Sequence, residues 1–170
     1  MALIKNGRET IDPFIRIRPG EPLPDDGALL VPLCVWQNHW ERLVCRRTAI
    51  GVQLASHEHP EIIGDDVDQL DLIALEFPSF RDGRAYSHAR LIRERYGFAG
   101  ELRAVGDVLV EQLHYMQRVG FDAFEIVGDD PLADYETASQ DFTVWYQATG
   151  DGRHPASALR RARSRLRDPS

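Results

Sequence analysis

Short apolar runs alternate with helix-period stretches along the middle of this chain, and few folds accept that alternation. The run from Asp71 to Phe77 (DLIALEF) is a strand bounded by Pro78. After Gly83, Ala85, Ala89, Ile92 and Tyr96 fall on one helical stripe opposed by Arg90, Arg93 and Glu94, and Gly97 ends the helix. The pattern recurs on both sides. Leu29–Leu33, Ala49–Leu54, Glu101–Val105, Ala123–Val127 and Phe142–Gln147 read as further strands, and residues 35–47, 108–119 and 131–141 as helices. Asp107 is placed to cap the helix that follows it, and Gly120 to end that helix. The expected fold is α/β: a single domain with a mainly parallel sheet of about six strands and alternating helices. An open, doubly wound sheet is favoured over a partial βα-barrel, because a full barrel takes about 250 residues and the chain has 170.

The ends differ from this core. Residues 1–28 hold Pro13, Pro19, Pro22 and Pro24 with little apolar period, which predicts an extended arm with at most a short hairpin. The α/β domain then occupies 29–149. Residues 150–170 form a basic tail, read as flexible, in which the stretch from Arg153 to Ser170 holds six arginines against one aspartate. The chain carries 20 Lys and Arg against 27 Asp and Glu, so the part before Arg153 keeps 14 basic and 26 acidic residues. Phosphate-backbone binding rests on dense Lys and Arg, so nucleic acid is not an expected partner of this acidic body. No apolar run approaches the roughly 20 residues of a membrane helix, and Lys5, Arg8, Glu9 and Asp12 interrupt any leader-like stretch. A soluble, cytoplasmic protein without a membrane partner is expected.

Cys34 and Cys45 are too few to hold a four-thiolate cluster or a zinc ribbon. Placed on one helix they would sit about 16 Å apart, too far for a disulfide. His57-Glu58-His59 offers two imidazoles without a third ligand and reads as a solvated loop. The phosphate-binding fingerprints G-x-G-x-x-G and G-x-x-x-x-G-K-[ST] are absent. An iron–sulfur cluster and a P-loop nucleotide are therefore not expected, whereas a flavin, which needs no such fingerprint, stays open.

In α/β sheets ligands gather beyond the carboxyl ends of the strands. Two segments deliver polar residues there: Arg81, Asp82, Gly83, Arg84 and Ser87 after the strand 71–77, and Arg103, Gly106 and Asp107 at the end of the next. Guanidinium forks with close-approaching glycines suit a sulfite, sulfate, phosphate or carboxylate. The aspartates could equally cap helices, and Arg103 on a strand needs either a ligand or a buried partner. Gln112 falls on the apolar side of its helix, where its amide has to be satisfied. Tyr86 adds a further hydrogen-bonding group beside Ser87.

The stretch from Leu75 to Ile126 carries F-P-x-F-x-D-G-R, G-E-L-R-A-x-G-D-V and R-x-G-F-D-x-F in order. In these motifs it resembles the bacterial family called domain of unknown function 934, labelled as oxidoreductases involved in sulfite reduction. The likeness extends more weakly over Leu29–Gln147. The positions that carry it are Phe77, Pro78, Phe80, Asp82, Gly83, Arg84, Ser87, Arg103, Gly106, Asp107, Gln112, Gly120, Phe121 and Asp122. Glu111 and His88 depart from the expected Asp and Gln. The resemblance implies an accessory role in assimilatory sulfite reduction beside a sulfite or nitrite reductase haemoprotein, by docking, electron delivery or anion presentation. The chain cannot be the reductase, since six-electron reduction of sulfite calls for a sirohaem and an iron–sulfur cluster that two cysteines cannot ligate. A non-catalytic small-anion binding module is the alternative.

Overall fold

Six parallel strands follow one another in space in the order in which they occur along the chain. The computed structural model describes residues 2–140 and Ala158. Its strands are β1 (Ala2–Lys5), β2 (Arg8–Thr10), β3 (Phe14–Arg16), β4 (Ala28–Pro32), β5 (Ile50–Leu54), β6 (Leu72–Phe77), β7 (Glu101–Gly106) and β8 (Ala123–Ile126), in one sheet of order β2-β1-β8-β7-β6-β5-β4-β3. From β3 to β8 every neighbouring pair is parallel; β1 runs antiparallel to both β8 and β2. The helices are α1 (Leu33–Asn38), α2 (Trp40–Val44), α3 (Arg84–Arg90), α4 (Leu113–Arg118) and α5 (Pro131–Gln140).

The sheet is mainly parallel, with eight strands rather than six. Five of the expected strands are β4 to β8; the sixth, at 142–147, lies outside the described residues, as does the tail apart from Ala158. The three additional strands come from residues 2–16, where an arm was expected. Asn6-Gly7 is the reason for two of them. Both residues have positive φ, 50° and 75°, and Lys5 pairs with Arg8 across them. That is the two-residue turn for which Asn-Gly is the strongest local signal. β8 then supplies the ladder that seats Leu3 and Ile4 among buried residues.

The strand order also corrects the doubly wound expectation. A doubly wound sheet reverses direction at a switch point, and β3 to β8 contain no reversal. Crossovers of one hand that always step the same way place their helices on one face. The packing agrees. Leu29, Val31, Val52, Leu54, Ile73, Leu75 and Phe77 share one core with Trp36, Leu43, Ala85, Ala89, Ile92, Leu113 and Met116 from the helical segments. The alternate residues Leu30, Leu72, Ala74 and Val105 form a second cluster with Phe14 and, among the described residues, no helix residue.

The sheet curls around that second face. Laid flat, β3 and β8 would be about 24 Å apart at about 4.8 Å per strand. Instead Arg16 of β3 forms an ion pair with Glu125 of β8, and Asp12, just before β3, pairs with Arg103 of β7. The result is barrel-like in progression.

Residues 35–47 do not form one helix. His39, at φ −126° and ψ 21°, separates α1 from α2. Trp36 and Leu43 stay buried while Trp40 turns outward to 42% exposure. Cys34 and Cys45 therefore belong to different helical segments, and both are free and exposed. Between β5 and β6, where no element was expected, Pro60–Gln69 forms a ten-residue 3-10 helix.

Candidate functional site

β6 and β7 end side by side, with Phe77 opposite Gly106, and the loops beyond them are tied together. Gly106 turns the chain at φ +93°, and a Cβ there would stand 2.5 Å from the Phe77 carbonyl oxygen. This turn carries Asp107 over the neighbouring loop. Its amide donates to Phe77 O at 2.7 Å, and its Oδ2 accepts the amide of Phe80 at 2.9 Å. Asp107 thus holds the β6–α3 loop and does not cap the helix that follows. That helix begins with a 3-10 turn, Val110–Gln112, entered from Leu109 without a side-chain cap. Substituting Gly106 by Ala combines a disfavoured φ with a carbonyl contact, and a loss on the order of 3 kcal/mol is expected in urea denaturation. A loss below about 1 kcal/mol would mean that the turn relaxes freely.

Within the loop, Asp82 accepts from the Arg84 amide at 3.2 Å and receives the guanidinium fork, Nε to Oδ1 at 3.0 Å and Nη2 to Oδ2 at 2.6 Å. Arg84 Nη2 also donates to Ser56 Oγ beyond β5, at 2.9 Å. The Arg84 fork holds the Asp82 carboxyl far below the usual carboxylate range, and Asp82 in turn raises Arg84. The carboxyl ends of β5, β6 and β7 are joined through Ser56, Asp82, Arg84, Phe80 and Asp107. Ser56 had no sequence signal, because its partner lies 28 residues on.

The other predicted residues are distributed differently. Arg81 is exposed at the tip of this loop and makes no hydrogen bond or ion pair among the described residues. Gly83 precedes α3 at φ −89°, a value any residue adopts, and an added Cβ would meet only Tyr86 at 3.8 Å. Ser87 faces outward on α3 with Arg90, Leu91, Glu94 and Arg95 along a groove of about 410 Å³. Gln112 is half-buried, and its Oε1 has no hydrogen-bond partner among the described residues.

Arg103 does not join Arg81 and Arg84 at the rim. Its fully buried side chain lies on the face of the sheet opposite the described helices, where Nε donates to Glu101 at 2.7 Å and Nη1 to Glu125 at 3.2 Å. Nη1 and Nη2 also fork onto Asp12, at 2.7 and 3.2 Å. Lys5 reaches Glu101 at 2.7 Å, and Arg16 pairs with Glu125. Three cations and three carboxylates therefore balance one another. Burial alone pulls Arg103 down, and Asp12 and Glu101 more than reverse it.

Two aromatic contacts flank the rim. Tyr86 packs between Phe77 and Tyr115, with ring centroids at 5.2 and 5.0 Å. Burial and Tyr115 push its hydroxyl up to about 12, so it stays a neutral hydrogen-bonding group. His88, buried on α3, meets the half-exposed His59. Among the described residues no group of three or more His, Cys, Asp or Glu could hold a metal ion, and no helix is long and apolar enough to cross a membrane.

The rim offers an exposed arginine and the edge of a second guanidinium that Asp82 and Ser56 hold in place. A family model described as a bacterial protein of unknown function (DUF934) matches residues 51–157. A search of curated proteins returns no match. The matched region begins in β5 and takes in every residue of the rim, and it spans more than half of the chain: the protein belongs to this bacterial family, DUF934.

Proposed function

We propose that this protein is an accessory component of assimilatory sulfite reduction, acting beside a sulfite or nitrite reductase haemoprotein and binding a small oxyanion at the Arg81–Arg84 rim. The observation that carries the reading is the meeting of two family-like motifs. The segment 77–84 and the segment 100–108 are separated by a helix in the chain, yet Phe77 lies opposite Gly106 and Asp107 holds Phe80. A binding role explains why both turns are built so tightly beside two arginines. Arg84 is the pre-oriented donor, since Asp82 and Ser56 fix its fork; Arg81 supplies charge that no carboxylate among the described residues offsets. Docking, electron delivery through a flavin and anion presentation all remain within this role.

Two measurements test it. Sulfite at about a hundred times its Kd is expected to stabilise the native state by about 2.7 kcal/mol. Changing Arg81 to Gln and Arg84 to Gln together should remove that stabilisation. A strain lacking the gene should fail on sulfate and sulfite and grow on sulfide or cysteine. No thermal shift with sulfite, sulfate or phosphate would sink the anion site, and normal growth on all four sulfur sources would sink the pathway assignment. Stabilisation by sulfite together with normal growth would favour the second reading, a non-catalytic anion-binding module, for which the uncompensated Arg81 is the supporting feature.

A further inference from the structure

His59 and His88 meet edge to face with ring centroids 5.4 Å apart and an interplanar angle of 75°. They come from different elements. His88 lies on the buried side of α3, 7% exposed, while His59 opens the 3-10 helix Pro60–Gln69. His59 Nδ1 accepts the amide of Glu61 at 3.3 Å, which caps the first turn of that helix. The helix it caps is unusual, because 3-10 hydrogen bonds are poorly aligned and runs beyond three or four residues are uncommon. This one runs for ten residues. It is seated on the turn that continues α3, where Gly64 lies so close to Tyr96 that an added Cβ would stand 2.7 Å from the ring.

The groups facing His88 can be named. His59 approaches from the 3-10 helix, Arg84 from one turn earlier on α3, and Asp82 from the loop before it; Glu61 Oε2 lies 3.9 Å from His59 Nδ1. Burial holds His88 below the ordinary histidine value, His59 and Arg84 push the same way, and Asp82 opposes them.

We infer that His59 and His88 form an acid-sensitive latch that holds the 3-10 helix 60–69 against α3 at neutral pH and releases it on acidification. The His88 ring is buried against that of His59, with no room beside it for the water that a charged imidazole needs. A charged His88 would face the His59 ring and the Arg84 guanidinium, while Asp82 is already engaged by Arg84. The direction follows from linkage. A histidine whose folded-state pKa lies below its unfolded value contributes stability that is present above about 6.5 and lost as pH falls through the folded value. The loss falls on residues 60–69 because one of the two rings belongs to that segment's own cap. Ser56, three residues before His59, is bonded to Arg84, so release also loosens the rim. The latch does not depend on what the rim binds.

Amide hydrogen exchange of the full chain between about pH 8 and about pH 5 tests this, after correction for intrinsic rates. Amides of 61–69 are expected to lose protection below about pH 6.5, by about tenfold for each pH unit by which His88 is depressed. Amides of β6 and β7 should keep theirs. His59→Asn keeps a good capping acceptor and removes the ring through which His88 meets the 3-10 helix, and His88→Phe keeps a buried ring without a charge; each should flatten the profile. Equal protection of 61–69 at both ends of the range would overturn the latch. So would an unchanged profile in His59→Asn, a half-exposed position where folding is not at stake.

Discussion

Arg103→Met is expected to lower the unfolding free energy by about 3–5 kcal/mol, the range for removing one partner from a buried ion pair. The guanidinium touches Asp12, Glu101 and Glu125 at once, and its side chain is fully buried. Without it Glu101 keeps Lys5 and Glu125 keeps Arg16, but Asp12 is left with no cationic partner among the described residues. The damage should therefore concentrate on the segment that Asp12 anchors. Protection of the β3 amides is expected to fall first, followed by β4. Arg103→Lys keeps the charge and cannot fork onto Asp12 while reaching Glu101, so it should recover only part of the loss. Urea denaturation reads the total, and a loss below about 1 kcal/mol would show that water or rearranged carboxylates replace the guanidinium.

Arg93→Ala is expected to cost about 3 kcal/mol for a different reason. Its side chain leaves a π turn, Leu91–Arg95, that continues α3 and closes three pieces of backbone. Nε donates to Gly120 O at 2.9 Å, Nη1 to Phe98 O at 2.6 Å and Gly100 O at 2.8 Å, and Nη2 pairs with Asp122 at 2.9 Å. Removing it takes the side-chain donor from three part-buried carbonyls at once, where losing the partner of a buried group costs about 1–3 kcal/mol. Gly120 has φ +111°, and a Cβ there would stand 2.5 Å from Arg93 Cγ, so glycine is what lets the arginine pass. The deficit should depend on pH. Burial already raises the Asp122 carboxyl against the pull of the Leu102 amide and Arg93. Without Arg93 it rises further, and a carboxyl raised above its unfolded value loses stability as pH climbs through the folded value. The variant should thus come closest to wild type at acid pH; a constant deficit would exclude Asp122 as the cause.

These two arginines show where sequence reading reaches and where it stops. The apolar stripe Ala85, Ala89, Ile92 was visible as a helix face, and all three side chains are buried. Arg93 stood on the opposing polar face, and nothing local indicated that its fork would be consumed by carbonyls 5 to 27 residues away. The sequence marks Gly106 as a glycine that permits close backbone approach at a strand end and Asp107 as a cap for the helix that follows. Only the pairing of Phe77 with Gly106 directs Asp107 to the Phe80 amide instead of to its own helix. Asn6-Gly7 is a hairpin signal that the surrounding prolines obscured, and its strands acquire a purpose once β8 offers an edge.

Local sequence decided the elements β4 to β8, the buried stripe of α3 and the Gly120 stop, because side-chain alternation and helical period act over a few residues. The tertiary structure alone decided that the sheet curls, that the first strands flank it, and that Arg103 serves the closure and leaves the rim to Arg81 and Arg84. The physical reason is range: Asp12 and Arg103 are 91 residues apart, and a buried charge is assigned by whichever carboxylates the completed fold brings within hydrogen-bonding distance.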